Sequence, residues 1–234
     1  MSPKLSVVIP TYNEARTIEA VIEAVRGVRL DGIDREIVVV DDGSTDTTAC
    51  LLEAYGADAD IRLVRHERNQ GKGAAVRTGF ANVSGDIVII QDADLEYDPG
   101  EYPRLLEPIL RGHADVVYGS RLSGGRPQRV YMFWHLVGNR FLTLLTNVLY
   151  NSTLTDMETG YKVFRREVVE QLSLRENDFR IEPEITSQVL KIPGLRIYEM
   201  PIAYYGRTYD EGKKITWRDG VGAMITLLRC RFLR

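Results

Sequence analysis

The run Ile87-Val88-Ile89-Ile90-Gln91-Asp92-Ala93-Asp94-Leu95-Glu96-Tyr97-Asp98-Pro99 decides how the rest of the chain is read. Four consecutive apolar residues closed by a turn signal mark a strand covered on both faces, as in a parallel sheet. Asp92 and Asp94 then emerge at the carboxyl end of that strand, the edge where open α/β sheets bind ligands. Two carboxylates one residue apart, with Glu96 close behind, suit a hard divalent cation, Mg²⁺ or Mn²⁺. Asp-rich strand ends also occur as ordinary turn and capping sequence, so the stretch by itself leaves both readings open.

Outward from this strand, apolar runs alternate with helical patterns. Strands are expected over Leu5–Ile9, Glu36–Asp41, Ile61–Val64, Asp86–Ile90 and Asp115–Tyr118. Ile18, Val21, Ile22 and Val25 share one helical face ahead of Gly27, and Ser44, Thr45 and Asp46 carry helix-start signals. Further helices are expected over Gly71–Val83 and Pro99–Leu110. Repeated β-α-β units of this length imply an α/β fold with a mostly parallel sheet, helices on both faces and right-handed crossovers.

The strand ends narrow the choice of α/β fold. Pro10-Thr11-Tyr12-Asn13-Glu14 lacks the G-x-G-x-x-G that lets a backbone approach a dinucleotide pyrophosphate, which disfavours a dehydrogenase. Gly71-Lys72-Gly73 lacks the spacing of a P-loop and follows the wrong strand. What remains is a set of polar strand ends converging on one edge: Tyr12 and Glu14, Asp41-Asp42-Gly43-Ser44, Asn69-Gln70-Gly71-Lys72-Gly73, and Asp92-Ala93-Asp94. An aromatic ring and carboxylates for a base and ribose, a Lys for phosphate and a metal site together describe a nucleoside-diphosphate pocket.

Composition agrees with a globular chain: 234 residues, 44% hydrophobic and 27% charged, with a formal net charge of -3 that argues against general nucleic-acid binding. The charge is uneven, since Tyr205–Arg234 holds seven cations against three acids, a local net of +4. Cys50 and Cys230 form neither a disulfide framework nor a zinc pattern, and the amino terminus shows no signal-peptide pattern. A cytoplasmic location is expected, extending to the cytoplasmic face of a membrane.

The four motifs, in this order over Leu5 to about Arg121, resemble the family 2 glycosyltransferases of GT-A fold. Within them the resemblance is strongest to the dolichol-phosphate mannose synthase and polyprenyl-phosphate glycosyltransferase group. Tyr118-Gly119-Ser120-Arg121, Asp156 to Lys162, Tyr205-Gly206-Arg207 and Gly212-Lys213-Lys214-Ile215 extend it over most of the chain. The resemblance implies inverting transfer of a hexose from a nucleotide sugar of GDP-mannose or UDP-glucose type. It implies that Pro10, Tyr12, Glu14 and Asp42 hold the nucleoside, Asp42 by accepting from a ring N–H, and that Lys72 lies near the nucleotide. It also implies that Asp92 reaches the ribose and metal region and that Asp94 and Glu96 are metal ligands.

Two acceptor classes follow. A lipid monophosphate is already a nucleophile at neutral pH and needs positioning cations, for which Arg121, Arg126, Arg129, Arg207, Lys213 and Lys214 are candidates, Arg121 and Arg207 foremost. A hydroxyl acceptor needs a general base, with Asp156, Glu158, Glu182 and Glu184 as candidates. The last two also read as first-turn acids complementing a helix dipole. A nucleotide-sugar-binding scaffold without transferase activity is the alternative from another class, against which Asp92, Asp94 and Lys72 all speak.

The catalytic domain is expected over residues 1–212, with a basic amphipathic helix over 213–234. Trp217, Val221, Met224, Ile225, Leu228 and Phe232 recur at helical spacing with Arg218, Arg229, Arg231 and Arg234 off the stripe, the pattern of an interfacial helix. Val130–Tyr150, too polar for a membrane span, is a second candidate. Both helices either contact a membrane peripherally or pack on the domain, a second copy or a membrane partner.

Overall fold

The computed structural model describes residues 2–130, 132–207 and 217–233, and only the backbone of Trp217. In chain order the elements are β1 (Lys4–Thr11), α1 (Ile18–Gly27), β2 (Asp34–Asp41), α2 (Thr48–Glu53), β3 (Ile61–Arg65), α3 (Lys72–Phe80) and β4 (Ile87–Ile90). A 3₁₀ turn (Pro99–Glu101) leads into α4 (Tyr102–Leu110), then β5 (Val116–Ser120), α5 (Phe133–Tyr150) and β6 (Lys162–Arg165). The chain continues through α6 (Arg166–Val169), α7 (Ile181–Val189), β7 (Ile197–Pro201) and α8 (Trp217–Phe232).

The five strands read from apolar runs are all present, and the sheet adds two. Its order is β3-β2-β1-β4-β6-β5-β7, parallel throughout except for β6, which runs antiparallel to β4 and β5. Because β6 runs backwards, its start lies at the carboxyl edge of β4. The segment that leads into β6 is thereby brought to the site, with Gly160 packed against the Asp92 carboxylate.

Side-chain alternation along the central strands builds a core on each face of the sheet. On one side Val7, Ile9, Ile37, Val39 and Ile89 pack with the Ile18, Val21, Ile22 and Val25 face of α1 and with Leu105 and Leu106 of α4. On the other, Val8, Val38, Val88 and Ile90 pack with Ala75 and Val76 of α3 and Ile181 and Ile185 of α7. Covering both faces leaves the sheet's carboxyl edge as the place for polar side chains. A third cluster of Leu142, Met157, Ala223 and Leu227 joins α5 to α8. The boundary drawn at residues 212 and 213 lies outside the described residues.

Candidate active site

Three carboxylates from two strand ends gather around one guanidinium. Glu14 follows β1, Asp94 and Glu96 follow β4, and Arg207 follows β7. Arg207 lies 3.3 Å from Glu14 Oε2 through Nη1, 3.2 Å from Asp94 Oδ2 through Nη2, and 3.7 Å from Glu96 Oε1 through Nε. Its backbone N–H donates to Glu96 Oε1 at 2.7 Å, and the Tyr204 hydroxyl donates to Glu96 Oε2 at 2.6 Å. Burial, then the charges of Asp92 and Glu96, push the Asp94 carboxyl up to about 7 against the pull of Arg207. Between Asp94 and Glu96, Leu95 adopts a left-handed φ of 61°, a strain of about 1 kcal/mol of the kind that collects at functional sites.

Asp92 belongs to a second, adjoining set. Lys72 Nζ lies 2.7 Å from Asp92 Oδ1 and 3.1 Å from Glu182 Oε1, and the fully buried Lys162 bonds Glu182 Oε2 and the carbonyl of Thr159. Burial alone would lower the Lys72 pKa, but Asp92 and Glu182 more than offset it, so the value is raised and the ammonium stays charged. Lys72 opens α3, and the glycines flanking it make room for protein: a Cβ on Gly71 or Gly73 would strike the backbone of Glu176 and Asn177. The carbonyl of Asn177 accepts from the N–H of Ala74 at 3.1 Å, so the segment before α7 seals the Gly71-Lys72-Gly73 turn.

Several of the expected site residues have partners within the protein. The Asp42 carboxylate, expected to take a base N–H, is buried and accepts from the N–H groups of Gln70 (2.9 Å) and Gly71 (2.7 Å), with the His66 ring 2.6 Å away. It organises the Asn69–Gly73 turn. Glu14, expected at the nucleoside, faces Arg207. Pro10 and Tyr12 remain partly exposed at the same sheet edge.

Arg121, the other leading phosphate candidate, is locked onto buried Asp156 by a two-pronged pair, Nε to Oδ2 at 2.7 Å and Nη2 to Oδ1 at 2.8 Å, and lies over the Tyr204 ring. Its fork is thus committed within the protein. Arg126 pairs with Glu101 at 3.1 Å, on the turn before α4, and Arg129 donates to the carbonyl of Gly206 at 2.9 Å, next to Arg207. Lys213 and Lys214 lie outside the described residues.

The base candidates separate as sharply. Asp156 accepts from Arg121 and from Asn139 at 3.1 Å, and these partners hold its carboxyl below the usual range despite complete burial. Glu182 bridges two lysines. Glu184 accepts the N–H groups of Arg175 (2.9 Å) and Glu176 (2.8 Å), so the two acids of α7 brace lysines and a loop rather than merely complementing the helix dipole. Glu158 keeps Oε1 buried without a hydrogen-bond partner, and burial, with Glu182 and Asp156 working against Lys162 and Arg121, pushes its carboxyl up to about 7.

Residues beyond the motifs complete the site. Thr17 donates to the carbonyl of Ala93 at 2.6 Å, and Gln91 accepts from the hydroxyls of Tyr102 (2.7 Å) and Tyr161 (2.6 Å), fixing the strand end that carries Asp92. Tyr97 stacks on Tyr161 and accepts from the N–H of Gly160. Hydroxyls on an apolar-patterned chain give little local signal, and these pairings span distant segments.

Next to the site, α5 and α8 bury one face each and expose the other. Trp134, Phe141, Leu144 and Val148 of α5 are 78%, 54%, 61% and 73% exposed, and Ile225 and Phe232 of α8 are 55% and 69% exposed. The apolar stripe read on α8 is largely its outward face, while Ala223, Leu227 and Cys230 pack inward. No described helix is long and apolar enough to cross a membrane.

The donor chemistry fits a divalent cation. Among the described residues no ready-made group of three His, Cys, Asp or Glu ligands occurs, and Arg207 lies against the carboxylates of Glu14, Asp94 and Glu96. The ligands on offer are hard carboxylate oxygens, the donor type that suits Mg²⁺ or Mn²⁺.

Comparison with known proteins agrees with this geometry. The chain is 31% identical over 212 residues to a dolichol-phosphate mannosyltransferase of Pyrococcus furiosus, covering 90% of this chain and 59% of that one. It is 35% identical over 208 residues to the low-salt glycan biosynthesis hexosyltransferase Agl6 of Haloferax volcanii, covering 88% and 49%. It therefore spans about half the length of the curated relatives it matches. The fold superimposes on glucosyl-3-phosphoglycerate synthase of Mycobacterium tuberculosis, solved with Mn²⁺, UDP and glucosyl-3-phosphoglycerate, with a TM-score of 0.76 and 26% identity over 99% of this chain and 81% of that one. That enzyme has also been solved with Mg²⁺ and UDP. The family model for glycosyl transferase family 2 matches residues 6–173, and with the GT-A sheet and the carboxylate cluster at its edge, the chain belongs to glycosyl transferase family 2.

Proposed function

We propose that this chain transfers a hexose, with inversion, from a nucleoside-diphosphate sugar to a polyprenyl phosphate. One observation carries the choice of acceptor: three of the four carboxylates read as general-base candidates are already committed. Asp156 is bound to Arg121, Glu182 to two lysines, and Glu184 to two backbone N–H groups. A hydroxyl acceptor requires such a base, whereas a phosphate monoester with a second pKa of about 6 is largely dianionic at neutral pH and attacks unaided. The P. furiosus relative, named for dolichol phosphate, points the same way.

On the donor side, Asp94 and Glu96, with Asp92 and Glu14 beside them, would hold Mg²⁺ or Mn²⁺, which supplies Lewis-acid stabilisation of the departing nucleoside diphosphate. Lys72 adds a permanently charged ammonium next to Asp92, and Pro10 and Tyr12 border the nucleoside. Arg207 supplies the guanidinium for the acceptor phosphate, favoured over lysine by its planar fork. The lipid approaches along the exposed stripes of α5 and α8. Helix α5 carries no acid, and with Arg229 paired to Glu176, Arg140, Arg218 and Arg231 still outnumber the single acid, Asp219, on the two helices, so the pair suits an anionic bilayer surface.

Glu158 supports a second reading, transfer to a hydroxyl, since a carboxyl near 7 with an unpartnered oxygen has the character of a general base. The protein is incubated with Mn²⁺ and radiolabelled GDP-mannose or UDP-glucose, and with either a short polyprenyl phosphate or the matching free alcohol. Label is expected in the phosphate lipid alone. Label in the alcohol, lost in Glu158→Gln and absent from the phosphate, would overturn the proposal in favour of the second reading.

A further inference from the structure

We propose that Arg207 is the internal counter-cation of the carboxylate cluster and that a divalent ion binds by displacing its guanidinium. This rests on the reading of Glu14, Asp94 and Glu96 as a cation site and adds to it a competition and an order of events.

The geometry contrasts two arginines of the same site. Arg121 grips a single carboxylate with contacts of 2.7 and 2.8 Å, the lengths of strong charge-assisted bonds. Arg207 divides itself among three carboxylates, and none of its side-chain contacts is shorter than 3.2 Å. Its Nε is buried without an acceptor. One planar fork cannot align with three carboxylates at once, so each pairing is long. A divalent ion demands oxygens at about 2.0–2.2 Å, much closer than the guanidinium allows, and offers twice its charge to the same three anions. The two cations therefore compete for the same space. The backbone N–H of Arg207, bonded to Glu96 Oε1 at 2.7 Å, keeps the residue at the site when the side chain swings away.

Two consequences follow. Without metal, Arg207 screens repulsion among Glu14, Asp94 and Glu96, which stabilises the empty site but weakens its affinity for the ion. With metal bound, the guanidinium is released toward phosphate oxygens. By linkage, an anion that takes up the released Arg207 strengthens metal binding by the same factor as metal strengthens anion binding. Arg207 is in this respect a positioning residue whose availability the metal controls.

The test is calorimetric titration of MnCl₂ into chelator-treated protein without nucleotide, for wild type, Arg207→Met, Arg207→Lys and Asp94→Asn, with the melting temperature of each taken with and without Mn²⁺. Arg207→Met is expected to melt lower than wild type without metal, yet to bind Mn²⁺ roughly tenfold more tightly, within the range usual for coupled ligands. Arg207→Lys, whose ammonium cannot bridge three carboxylates, should lie between the two, and it carries the comparison if Arg207→Met fails to fold. A purely structural Arg207 would lower the melting temperature with no gain in Mn²⁺ affinity. Wild type binding Mn²⁺ as tightly as the Arg207 variants, or more tightly, would overturn this inference and leave the cation site standing. Mn²⁺ binding to none of the proteins would overturn the cation site and the inference with it.

Discussion

Replacing Asp156 with Asn distinguishes a carboxylate that holds the site together from one that performs chemistry. Asp156 is fully buried and accepts four hydrogen bonds, three from Arg121 and one from Asn139. Asn keeps the shape but removes the charge, leaving the enclosed Arg121 guanidinium with a neutral partner and one amide N–H aimed at a donor. Breaking one side of a buried ion pair costs about 3–5 kcal/mol. For a chain of this length each kcal/mol lowers the melting temperature by about 2–4 °C, so a drop of roughly 10 °C is expected. Differential scanning calorimetry and urea titration read it directly. Removing both partners, in Asp156→Leu with Arg121→Met, should cost less than the sum of the two single changes, because neither charge is then stranded. The reasoning fails if Asp156→Asn melts within about 2 °C of wild type while transfer is abolished, the signature of a lost general base.

Two further outcomes test other parts of the molecule. Burial alone would raise the Glu36 carboxyl, but Lys4, Ser6 and Ser84 outweigh it and hold it at about 2, below its ordinary 4.5; its stabilisation is therefore complete above pH 4.5 and lost as pH falls toward 2. Glu36→Gln should cost about 3 kcal/mol in urea titrations at pH 7, with the gap to wild type closing between pH 4.5 and 2, and a gap that stays constant would refute the assignment. Phe141→Ser with Leu144→Ser, on the exposed face of α5, should leave the melting temperature near wild type and sharply weaken sedimentation with anionic phosphatidylserine vesicles; unchanged vesicle binding would remove α5 from the lipid-facing surface.

The fold was largely legible because its evidence is local. Buried parallel strands must be apolar along their length, so Val38–Val40 and Ile87–Ile90 declare themselves, and the 3.6-residue spacing of Ile18, Val21, Ile22 and Val25 declares α1. β6 escaped notice because four residues, Lys162–Arg165, carry too little pattern, and its direction is set by the gap it fills between β4 and β5.

The types of residue needed for the site were legible too, since carboxylates at one strand end, a lysine after a glycine and a late arginine are matters of composition and order. Their partners were not. Arg121 and Asp156 are 35 positions apart and Arg207 and Glu14 193 apart, and no periodicity links such pairs. A charged side chain looks the same in sequence whether it faces a ligand or another side chain. Only the assembled sheet edge decided that Arg121 and Asp42 are committed inside the protein and that Arg207 stands among the carboxylates. Burial makes an unpaired charge too costly, and the partner that relieves that cost is chosen by proximity in space, which sequence order does not contain.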